Sequence, residues 1–431
     1  MRILFIAEAV TLAHVGRMIS LAEGLDAARY DSTLAFDSRY ATAAGQTSVP
    51  MRHIRTIPAE QFFNALAGGS PIYGWRDLVQ YVEDDRALIR SCRPDVVVGD
   101  FRLSLVASAQ LERVPYVTVT NAYWSPYARI DYPVPDLPLT RICGVPIAQA
   151  LFDLSRPIAF AVHAAPVNRM LRHFQLAPLR RDLRDAYTHA DITVYSDIPE
   201  LIPTADLPDH HQFIGPVQWS PQIPLPDWLA SFPRTRPLIY VNLGSSGPAE
   251  LLPELLRALE VLPVNVIAAT AGRVRVAAPS NGFVVDLIPG HAAAALAAVV
   301  IGNGGSPSCY QALAAGTPVV GVPTNLDQFL NMSRVERSGA GVLIRHGRQT
   351  PDGVAAAVTT ILSQPSYAER ATWLQSAIRR YSPADRFAAI LERLTPGRAR
   401  AAARHDAEPR SSAAIGRPSV PRTNHTSEME S

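Results

Sequence analysis

The stretch from Val299 to Asn331, VVIGNGGSPSCYQALAAGTPVVGVPTNLDQFLN, constrains the fold more than any other part of the chain. Its apolar start, Val299–Ile301, predicts a buried strand, and the glycines that follow predict a turn into a helix with Pro307 in its first turn. The helix is predicted to end at Gly316, and Pro318–Val322 is predicted to be the next parallel strand. This order of strand, turn and helix is typical of an α/β sheet with an anion site at the helix N-terminus.

The predicted anion site consists of backbone N–H groups and short polar side chains. Either Ser306 or Ser308 opens the helix, and glycine in the turn lets a phosphate approach the backbone closely. A second loop, after a predicted strand at 238–243, is expected on the same edge of the sheet. The expected phosphate contacts are Gly244, Ser245, Asn303, Gly305, Ser306 and Ser308. For Ser245 a plain turn residue is an equal alternative.

Polar side chains also follow the next strand, at the same edge of the sheet. Asp327 and Gln328 come after it, separated from it by a short loop. Carboxylate and amide groups bind hydroxyl groups, and here they are predicted to lie beside a phosphate site. The sequence therefore predicts a site for a nucleotide-sugar as co-substrate, with no further cofactor. A solvated pair of loop residues is the alternative for Asp327 and Gln328.

Three segments of this stretch, N-G-G, A-L-A-A-G-T-P and D-Q-F-L-N, resemble in order the donor-binding signature of family 1 glycosyltransferases, the UDP-glycosyltransferase-like group of the GT-B fold. The resemblance implies an α/β fold with two Rossmann-like doubly wound domains that face each other across a cleft. It places Ile288 beside the nucleotide base. Asn303 stands where the family usually has a histidine that contacts a donor phosphate. Gln311 stands where many relatives have a ribose-binding glutamate, which favours a dTDP-linked over a UDP-linked donor.

Apolar strands alternate with helical patterns through the chain, and a proline-dense segment at 216–237 interrupts them. Strands are predicted at 3–7, 32–36, 96–99, 116–119, 192–195, 238–243, 264–270, 282–285, 299–301 and 319–322. The sequence is therefore divided into an acceptor-binding domain, a linker, a nucleotide-sugar-binding domain, C-terminal helices and a disordered tail: 1–215, 216–237, 238–366, 367–395 and 396–431. The resemblance implies that the last helix crosses back to the first domain.

Composition limits the class of protein. The chain has 431 residues, enough for two domains, and its formal charge of +2 is carried by arginine because the sequence contains no lysine. This near-balance does not favour a nucleic-acid partner. The cysteines Cys92, Cys143 and Cys309 lack metal-ligand spacing and no D-x-D-like cluster occurs, so we expect no bound metal and a reducing, cytoplasmic compartment. Glu8 interrupts the apolar N-terminus too early for an export signal.

His14 and Asp100 are the predicted catalytic residues. His14 ends a predicted loop, 8–14, between the first strand and a helix predicted at 15–25, and Asp100 follows the strand predicted at 96–99. Both therefore lie at the edge of a parallel sheet where functional groups gather. The alternatives are that His14 is a surface or capping residue and that Asp100 caps a helix near Ser104. The resemblance favours the catalytic interpretation, because LAHVGRMISLAEGL matches the family's first loop, whose histidine takes the proton from an acceptor hydroxyl. It also implies that the carboxylate orients this base and that transfer inverts the anomeric carbon.

Aromatic residues concentrate in the loops of the first half and predict an apolar acceptor site. Phe63, Trp75, Tyr123 and Trp124 are expected to contact the acceptor. EAVTLAH and TNAYWSPYARIDYPVPDLP resemble most closely the rhamnosyltransferases of phenolic glycolipid and p-hydroxybenzoic acid derivative assembly. That resemblance extends from about Arg2 to Arg380 and implies a phenolic or lipid-like acceptor and a deoxyhexose such as rhamnose.

Alternatives stay open for one helix and for the activity. Leu151–Phe174 is either a helix that rests on the inner face of a membrane or an ordinary buried helix. The amide at Asn303 leaves open a non-catalytic glycosyltransferase-like auxiliary subunit, although such proteins usually lose the base. Nucleotide-sugar 2-epimerases share the fold, but they need carboxylates around the donor and no acceptor pocket.

Overall fold

The computed structural model describes residues 1–394 apart from 46, 225, 231–234, 245, 246, 346 and 348. The predicted phosphate contact of Ser245 and the predicted tail at 396–431 lie outside the described residues. Within the described residues the chain forms two large sheets, in which every pair of neighbouring strands is parallel.

The first sheet has seven strands. They are β1 (Arg2–Ala7), β2 (Asp31–Phe36), β3 (Met51–His53), β4 (Val96–Asp100), β5 (Tyr116–Thr120), β6 (Ile192–Tyr195) and β7 (His211–Phe213). Their spatial order is β3-β2-β1-β4-β5-β6-β7. β4 is buried throughout and β1 from Ile3 onwards, as their aliphatic sequences predict for central parallel strands. The register pairs Ala7 with Asp100, so β1 and β4 end at the same edge.

The second sheet has six strands. They are β8 (Leu238–Asn242), β9 (Asn265–Ala269), β10 (Gly282–Val285), β11 (Val299–Gly302), β12 (Val319–Gly321) and β13 (Gly341–Leu343), in the spatial order β10-β9-β8-β11-β12-β13. The sequence prediction missed β3, β7 and β13, which are edge strands of three residues each. Three residues are too few to show a period-two pattern, and only the pairing with a neighbour reveals such strands.

Helices lie between the strands, and the last three helices follow β13. They are α1 (Leu12–Glu23), α2 (Ala41–Ala44), α3 (Ala59–Gly68), α4 (Trp75–Cys92), α5 (Leu105–Glu112), α6 (Pro138–His173), α7 (Leu183–Thr188), α8 (Asp227–Ala230), α9 (Leu252–Glu260), α10 (Gly290–Leu296), α11 (Ser306–Ala315), α12 (Leu326–Arg337), α13 (Pro351–Ser363), α14 (Pro365–Ile378) and α15 (Pro383–Arg393). The prediction for α11 is confirmed, because it begins at Ser306 and ends at Gly316, whose φ of 78° lies in the left-handed region.

Two helices start earlier than predicted. α1 begins at Leu12 rather than Val15, because Thr11 is the extended residue before it. The prediction that His14 lies in a loop is therefore wrong, and His14 belongs to the first turn of the helix. α6 begins at Pro138, before the predicted Leu151, and it includes a bend at Gly144 with φ 76° and ψ 164°.

The carboxyl edges of the two sheets face each other. Nδ2 of Asn121, which follows β5, donates to Oγ of Ser306 at 3.0 Å. The backbone N–H of Ile198, which follows β6, donates to the Tyr310 hydroxyl of α11 at 3.1 Å. On the far side, α15 returns to the first sheet, where Phe387 is fully buried. The strand ends of both sheets therefore form the walls of a cleft, and these hydrogen bonds join the two walls.

Candidate active site at the facing edges of the two sheets

His14 and Asp100 form a hydrogen-bonded pair at the edge of the first sheet. Nδ1 of His14 lies 2.8 Å from Oδ1 of Asp100, the last residue of β4. The imidazole keeps 21% of its side-chain surface exposed, whereas Asp100 keeps 2%. A buried carboxylate that accepts Nδ1–H leaves Nε2 as the nitrogen that can take a proton. The pair therefore has the arrangement of a general base and its orienting group.

Arg17 holds the other oxygen of Asp100, and the sequence prediction missed it. Its Nη1 lies 3.3 Å from Oδ2 of Asp100, and its Nη2 donates to Oδ1 of Asn121 at 3.1 Å. The guanidinium is buried and compensates the negative charge beside it. The sequence could have revealed Arg17 through its three-residue spacing from His14, because this spacing places both side chains on one face of α1.

An aromatic wall, defined here as Phe101, Tyr187, Trp124 and Phe160, extends from the histidine. Phe101 stacks on His14 with ring centroids 5.1 Å apart and planes at 8°. Its φ of 57° is unusual for a bulky residue and marks local strain of the kind that functional sites hold. Tyr187 contacts Phe101 at 5.3 Å and Trp124 edge-on at 5.2 Å, and Phe160 contacts Trp124 at 6.3 Å.

Two of the predicted acceptor residues lie in or near this wall. Trp124 is a member of it. Phe63 packs edge-on against Phe62 at 5.3 Å, and Phe62 in turn contacts Phe101 at 6.4 Å. Phe63 is thus separated from the wall by one ring. Phe101 itself was missed because nothing in VVVGDF distinguishes a site aromatic from a core aromatic.

Of the other two predicted acceptor residues, Trp75 lies away from the aromatic wall, whereas Tyr123 lies behind it, with its ring 6.3 Å from that of Trp124. Trp75 packs beside the guanidinium of Arg169, 4.3 Å from the ring centroid, and near the ring of His173 at 6.0 Å. Tyr123 is fully buried, and its hydroxyl donates a hydrogen bond to Asp327. Burial is the main cause that holds the pKa of this hydroxyl well above the usual range for a tyrosine. Tyr123 is therefore placed to orient a carboxylate.

The predicted phosphate site is a glycine turn that leads into α11. Gly305 precedes the helix in extended backbone, and its N–H donates to Oδ1 of buried Asn303 at 3.0 Å. This bond turns Nδ2 of Asn303 towards Gly244, where a Cβ would lie 3.2 Å from it. Gly244 also has a φ of 66°. Only glycine meets both conditions, so the two loops can approach closely at this point.

The two serines of the predicted phosphate site make internal hydrogen bonds. Ser306 is buried, and its Oγ accepts the hydrogen bond from Asn121 described above. Ser308 Oγ donates to the carbonyl of Gly305 at 3.1 Å. The backbone N–H groups of this first turn are therefore the donors that the geometry offers to an anion.

Three more predicted donor residues have side chains engaged in the fold. Gln311 Nε2 donates to the carbonyl of Trp219 at 2.8 Å and so holds the connecting segment against α11. Gln328 Oε1 accepts from the backbone N–H of Thr324 at 2.8 Å, and it closes the loop before α12. Ile288 is buried in the core beside α10 and α11. The sequence pattern located these residues at the right edge but could not show their internal bonds.

One side-chain hydrogen bond joins the predicted sugar site to the aromatic wall. Nε1 of Trp124 donates to Oδ1 of Asp327 at 2.7 Å. Asp327 lies in the first turn of α12, where the helix dipole stabilises a carboxylate. The structure therefore brings a predicted donor residue and a predicted acceptor residue into direct contact.

A buried carboxyl lies beneath the contact between the two sheets. Asp197 accepts the backbone N–H of Ala122 at 2.5 Å and Nδ2 of Asn121 at 3.2 Å. Desolvation nevertheless raises the pKa of Asp197 to about 7, although these hydrogen bonds and the charge of Arg17 act in the opposite direction. Asp197 supports Asn121, which contacts both Arg17 and Ser306.

The arrangement can accept a proton on one wall and stabilise an anion on the other. His14 supplies the base, and the first turn of α11 supplies N–H donors and a positive dipole end. In the part of the chain that the structure describes, no group of three or more His, Cys, Asp or Glu side chains is placed to hold a metal ion.

Comparison with known proteins finds relatives over most of the chain. Residues 252–392 match the family described as erythromycin biosynthesis protein CIII-like, C-terminal domain. The PGL/p-HBAD biosynthesis glycosyltransferase of Mycobacterium tuberculosis strain H37Ra is 48% identical over 377 residues, which cover 87% of this chain and 88% of the relative. The PGL/p-HBAD biosynthesis rhamnosyltransferase of Mycobacterium bovis BCG is 49% identical over 382 residues, covering 88% of this chain and 84% of the relative.

Solved structures share the architecture. Spinosyn rhamnosyltransferase SpnG aligns with a TM-score of 0.66 and 18% identity, over 90% of this chain and 100% of that protein. The solved structures of SpnG include complexes with thymidine diphosphate and with spinosyn aglycone. At this identity the likeness shows the fold alone, and it confirms the predicted α/β fold of the GT-B type with two facing parallel sheets.

Proposed function

The chain belongs to the GT-B glycosyltransferases, in the family that includes the PGL/p-HBAD biosynthesis glycosyltransferases, and from this premise we propose that it is an inverting, metal-independent hexosyltransferase. Its donor is a dTDP- or UDP-linked hexose, and its acceptor is a hydroxyl of a phenolic or lipid-like molecule. A deoxyhexose such as rhamnose is favoured, since one relative is named a rhamnosyltransferase. The cytoplasm, at the inner face of the membrane, is the compartment in which we propose that it acts.

His14 is the general base of the proposed reaction. Its Nε2 takes the proton from the acceptor hydroxyl as the oxygen attacks the anomeric carbon from the face opposite the diphosphate. The new C–O bond forms as the bond to the diphosphate breaks, and the configuration inverts. Asp100 compensates the charge of the imidazolium through the 2.8 Å contact at Nδ1. General-base catalysis of this kind contributes about 10²–10⁴-fold in rate.

The leaving diphosphate gains charge, and the second sheet supplies the groups that stabilise it. The N–H groups of the first turn of α11 and the positive end of its dipole face the cleft, each dipole contact contributing about 0.3–1 kcal/mol. The side-chain amide of Asn303 lies beside them without a charge, and its oxygen accepts the N–H of Gly305. Asp327, oriented by Trp124, would accept hydrogen bonds from hydroxyl groups of the sugar.

The observation that carries the proposal is the hydrogen bond from Trp124 to Asp327, because it joins the base's aromatic wall to the predicted sugar site. The test is calorimetric titration of dTDP, UDP and GDP, with and without their sugars, into wild type and Asp327→Ala. Asp352→Ala is the matched control, since Asp352 occupies the first turn of another helix, α13. We expect one nucleotide-sugar to bind, about tenfold more weakly to Asp327→Ala and equally to Asp352→Ala. Failure of every nucleotide to bind at millimolar concentration would refute the proposal.

The neutral Asn303 favours one second candidate, a non-catalytic auxiliary subunit. Such a subunit would bind a nucleotide or partner without turnover. Mass spectrometry of the donor, incubated alone and with phenolic acceptors, separates the two. Transfer or slow donor hydrolysis that His14→Ala abolishes supports the enzyme, and donor binding without either reaction supports the subunit.

A further inference from the structure

The outer surface of α6 exposes a long row of aliphatic side chains. More than half of the exposed large hydrophobic side chains among the described residues lie between Leu137 and Val162. We define the apolar stripe as the part of this set that follows the bend at Gly144: Ile147, Leu151, Leu154, Ile158 and Val162. Leu154 and Ile158 are 78% and 69% exposed. A patch of this kind on a soluble protein marks an interaction surface.

The stripe has the spacing of one helix face. Its members are separated by four, three, four and four residues, which places them in line along α6. The same spacing continues through Ala165 to Arg169 and Arg172, both exposed. The stripe therefore ends in two arginines on its own face, and Arg141 is exposed beyond the other end.

The opposite face of α6 belongs to the core of the first domain. Phe160, Val167 and Leu171 are buried, and α6 packs against α4 and α7. α6 is the one helix of the described residues that is long and apolar enough to cross a bilayer. Its packed inner face and the bend at Gly144 fit a helix that lies on a bilayer rather than across it. Of the two alternatives left by the sequence, an entirely buried helix does not fit, because only the inner face of α6 is buried and the stripe is exposed.

Charges around the stripe favour an anionic partner. Asp153 is the one acidic residue within its span, and it pairs with Arg156 at 3.3 Å. Asp136, just before α6, lies 3.6 Å from Arg345 of the second domain. The arginines at the ends of the stripe thus remain in excess over acidic groups.

We propose that the apolar stripe of α6 docks on a membrane that contains anionic phospholipid, with the aliphatic side chains among the acyl chains and Arg141, Arg169 and Arg172 at the phosphates. Long basic side chains at the ends of an apolar face reach headgroups in this way. A second copy is disfavoured as the occupant: parallel pairing would set each arginine against its own copy, and antiparallel pairing would set Arg141 against Arg172. The segment 395–431 is also disfavoured because it contains few large aliphatic residues.

The inner face of α6 connects this surface to the candidate active site. Phe160 contacts Trp124, and His163 and Val167 line a small cavity together with Tyr73 and Tyr187. This step rests on the proposed function: a lipid-like acceptor in the bilayer would reach the aromatic wall along α6. Docking itself depends only on the stripe and its arginines.

The test is co-sedimentation of the full chain with vesicles of phosphatidylcholine containing phosphatidylglycerol, and with phosphatidylcholine alone. We expect Leu154→Gln with Ile158→Gln to weaken binding to both vesicles by about 30-fold. Val261→Gln with Leu362→Gln is the matched control, since these side chains are exposed outside the stripe. Arg141→Gln with Arg172→Gln should weaken binding to the anionic vesicles alone, by about fivefold per arginine, and salt should remove this difference.

Each outcome decides the inference. Binding lost in the stripe variant and kept in the control supports it, provided that circular dichroism shows both variants folded. Equal binding of the two variants overturns it. Wild type that fails to bind vesicles also overturns it, and sedimentation velocity then shows whether a second copy covers the stripe. Nucleotide-sugar titration of the stripe variant separates the two proposals, because donor binding should be unchanged whether or not docking fails.

Discussion

The two walls of the cleft are built from different parts of the polypeptide. The donor wall offers mainly backbone: the N–H groups that open α11 and the glycines at 244 and 305. The acceptor wall offers side chains, with a histidine, a carboxylate and four aromatic rings from separate segments. Backbone N–H groups bind any diphosphate in the same way, whereas a wall of rings depends on each side chain. The difference suggests that the donor wall fixes the reaction class and the acceptor wall fixes the substrate.

The largest expected effect is that of removing the base from the acceptor wall. His14→Ala should lower kcat by about 10³-fold and leave nucleotide-sugar affinity unchanged, because the donor wall is intact. Single-turnover transfer and calorimetry measure the two quantities. His53→Ala, which removes an exposed histidine of β3, is the control. If His14→Ala weakened donor binding as much as turnover, the division between the walls would be wrong.

A smaller effect is expected from the residue that orients the base. Asp100→Asn keeps the size of the side chain but loses the charge, and its amide can present N–H to Nδ1 and select the wrong tautomer. We expect kcat to fall by about 10²-fold, the lower end of the range for general-base catalysis. Asp95→Asn, just before the same strand, should leave kcat unchanged. Equal activity of Asp100→Asn and wild type would show that Arg17 and the stacked Phe101 suffice to hold the ring.

The same difference explains how much the sequence could predict. Apart from Gly244, the donor wall lies within one continuous stretch, so the glycine turn, the bounds of α11 and the position of Asp327 followed from local pattern. The acceptor wall depends on contacts between distant segments, such as Tyr187 beside Phe101 and Trp124. An aromatic residue at a strand end has the same local pattern whether it faces a substrate or the core. Trp75 was therefore grouped with Trp124, although it packs against Arg169.

The hydrogen bond from Trp124 to Asp327 is the place where the comparison can be sharpened, because it couples the walls. Trp124→Phe removes the indole N–H and keeps an aromatic ring, and Asp327→Asn removes the charge of the carboxylate. In a double-mutant cycle on nucleotide-sugar affinity we expect a coupling energy of about 1.5 kcal/mol, the lower range for a hydrogen bond to a charged group. Tyr127→Phe in place of Trp124→Phe is the control, since Tyr127 packs on His211 away from the cleft. Additive effects would mean that the walls act independently.

A pH dependence of stability is also expected, at the contact between the walls. The pKa of Asp197 is raised to about 7 in the folded chain from an ordinary value of 3.8, and desolvation is the main cause. Below about pH 4 both states are protonated; between pH 4 and 7 the unfolded chain has released a proton that the folded chain keeps. Stability present at low pH is therefore lost as the pH rises to 7, by at most about 1.4 kcal/mol per pH unit.

Asp197→Asn should remove this part of the slope when the free energy of unfolding is measured from pH 5 to 7, and exposed Asp209→Asn should not. Parallel slopes for wild type and Asp197→Asn would mean that the carboxyl is ionised in the fold, and the contact of Asn121 with Ser306 would then rest on a charged support from the acceptor wall.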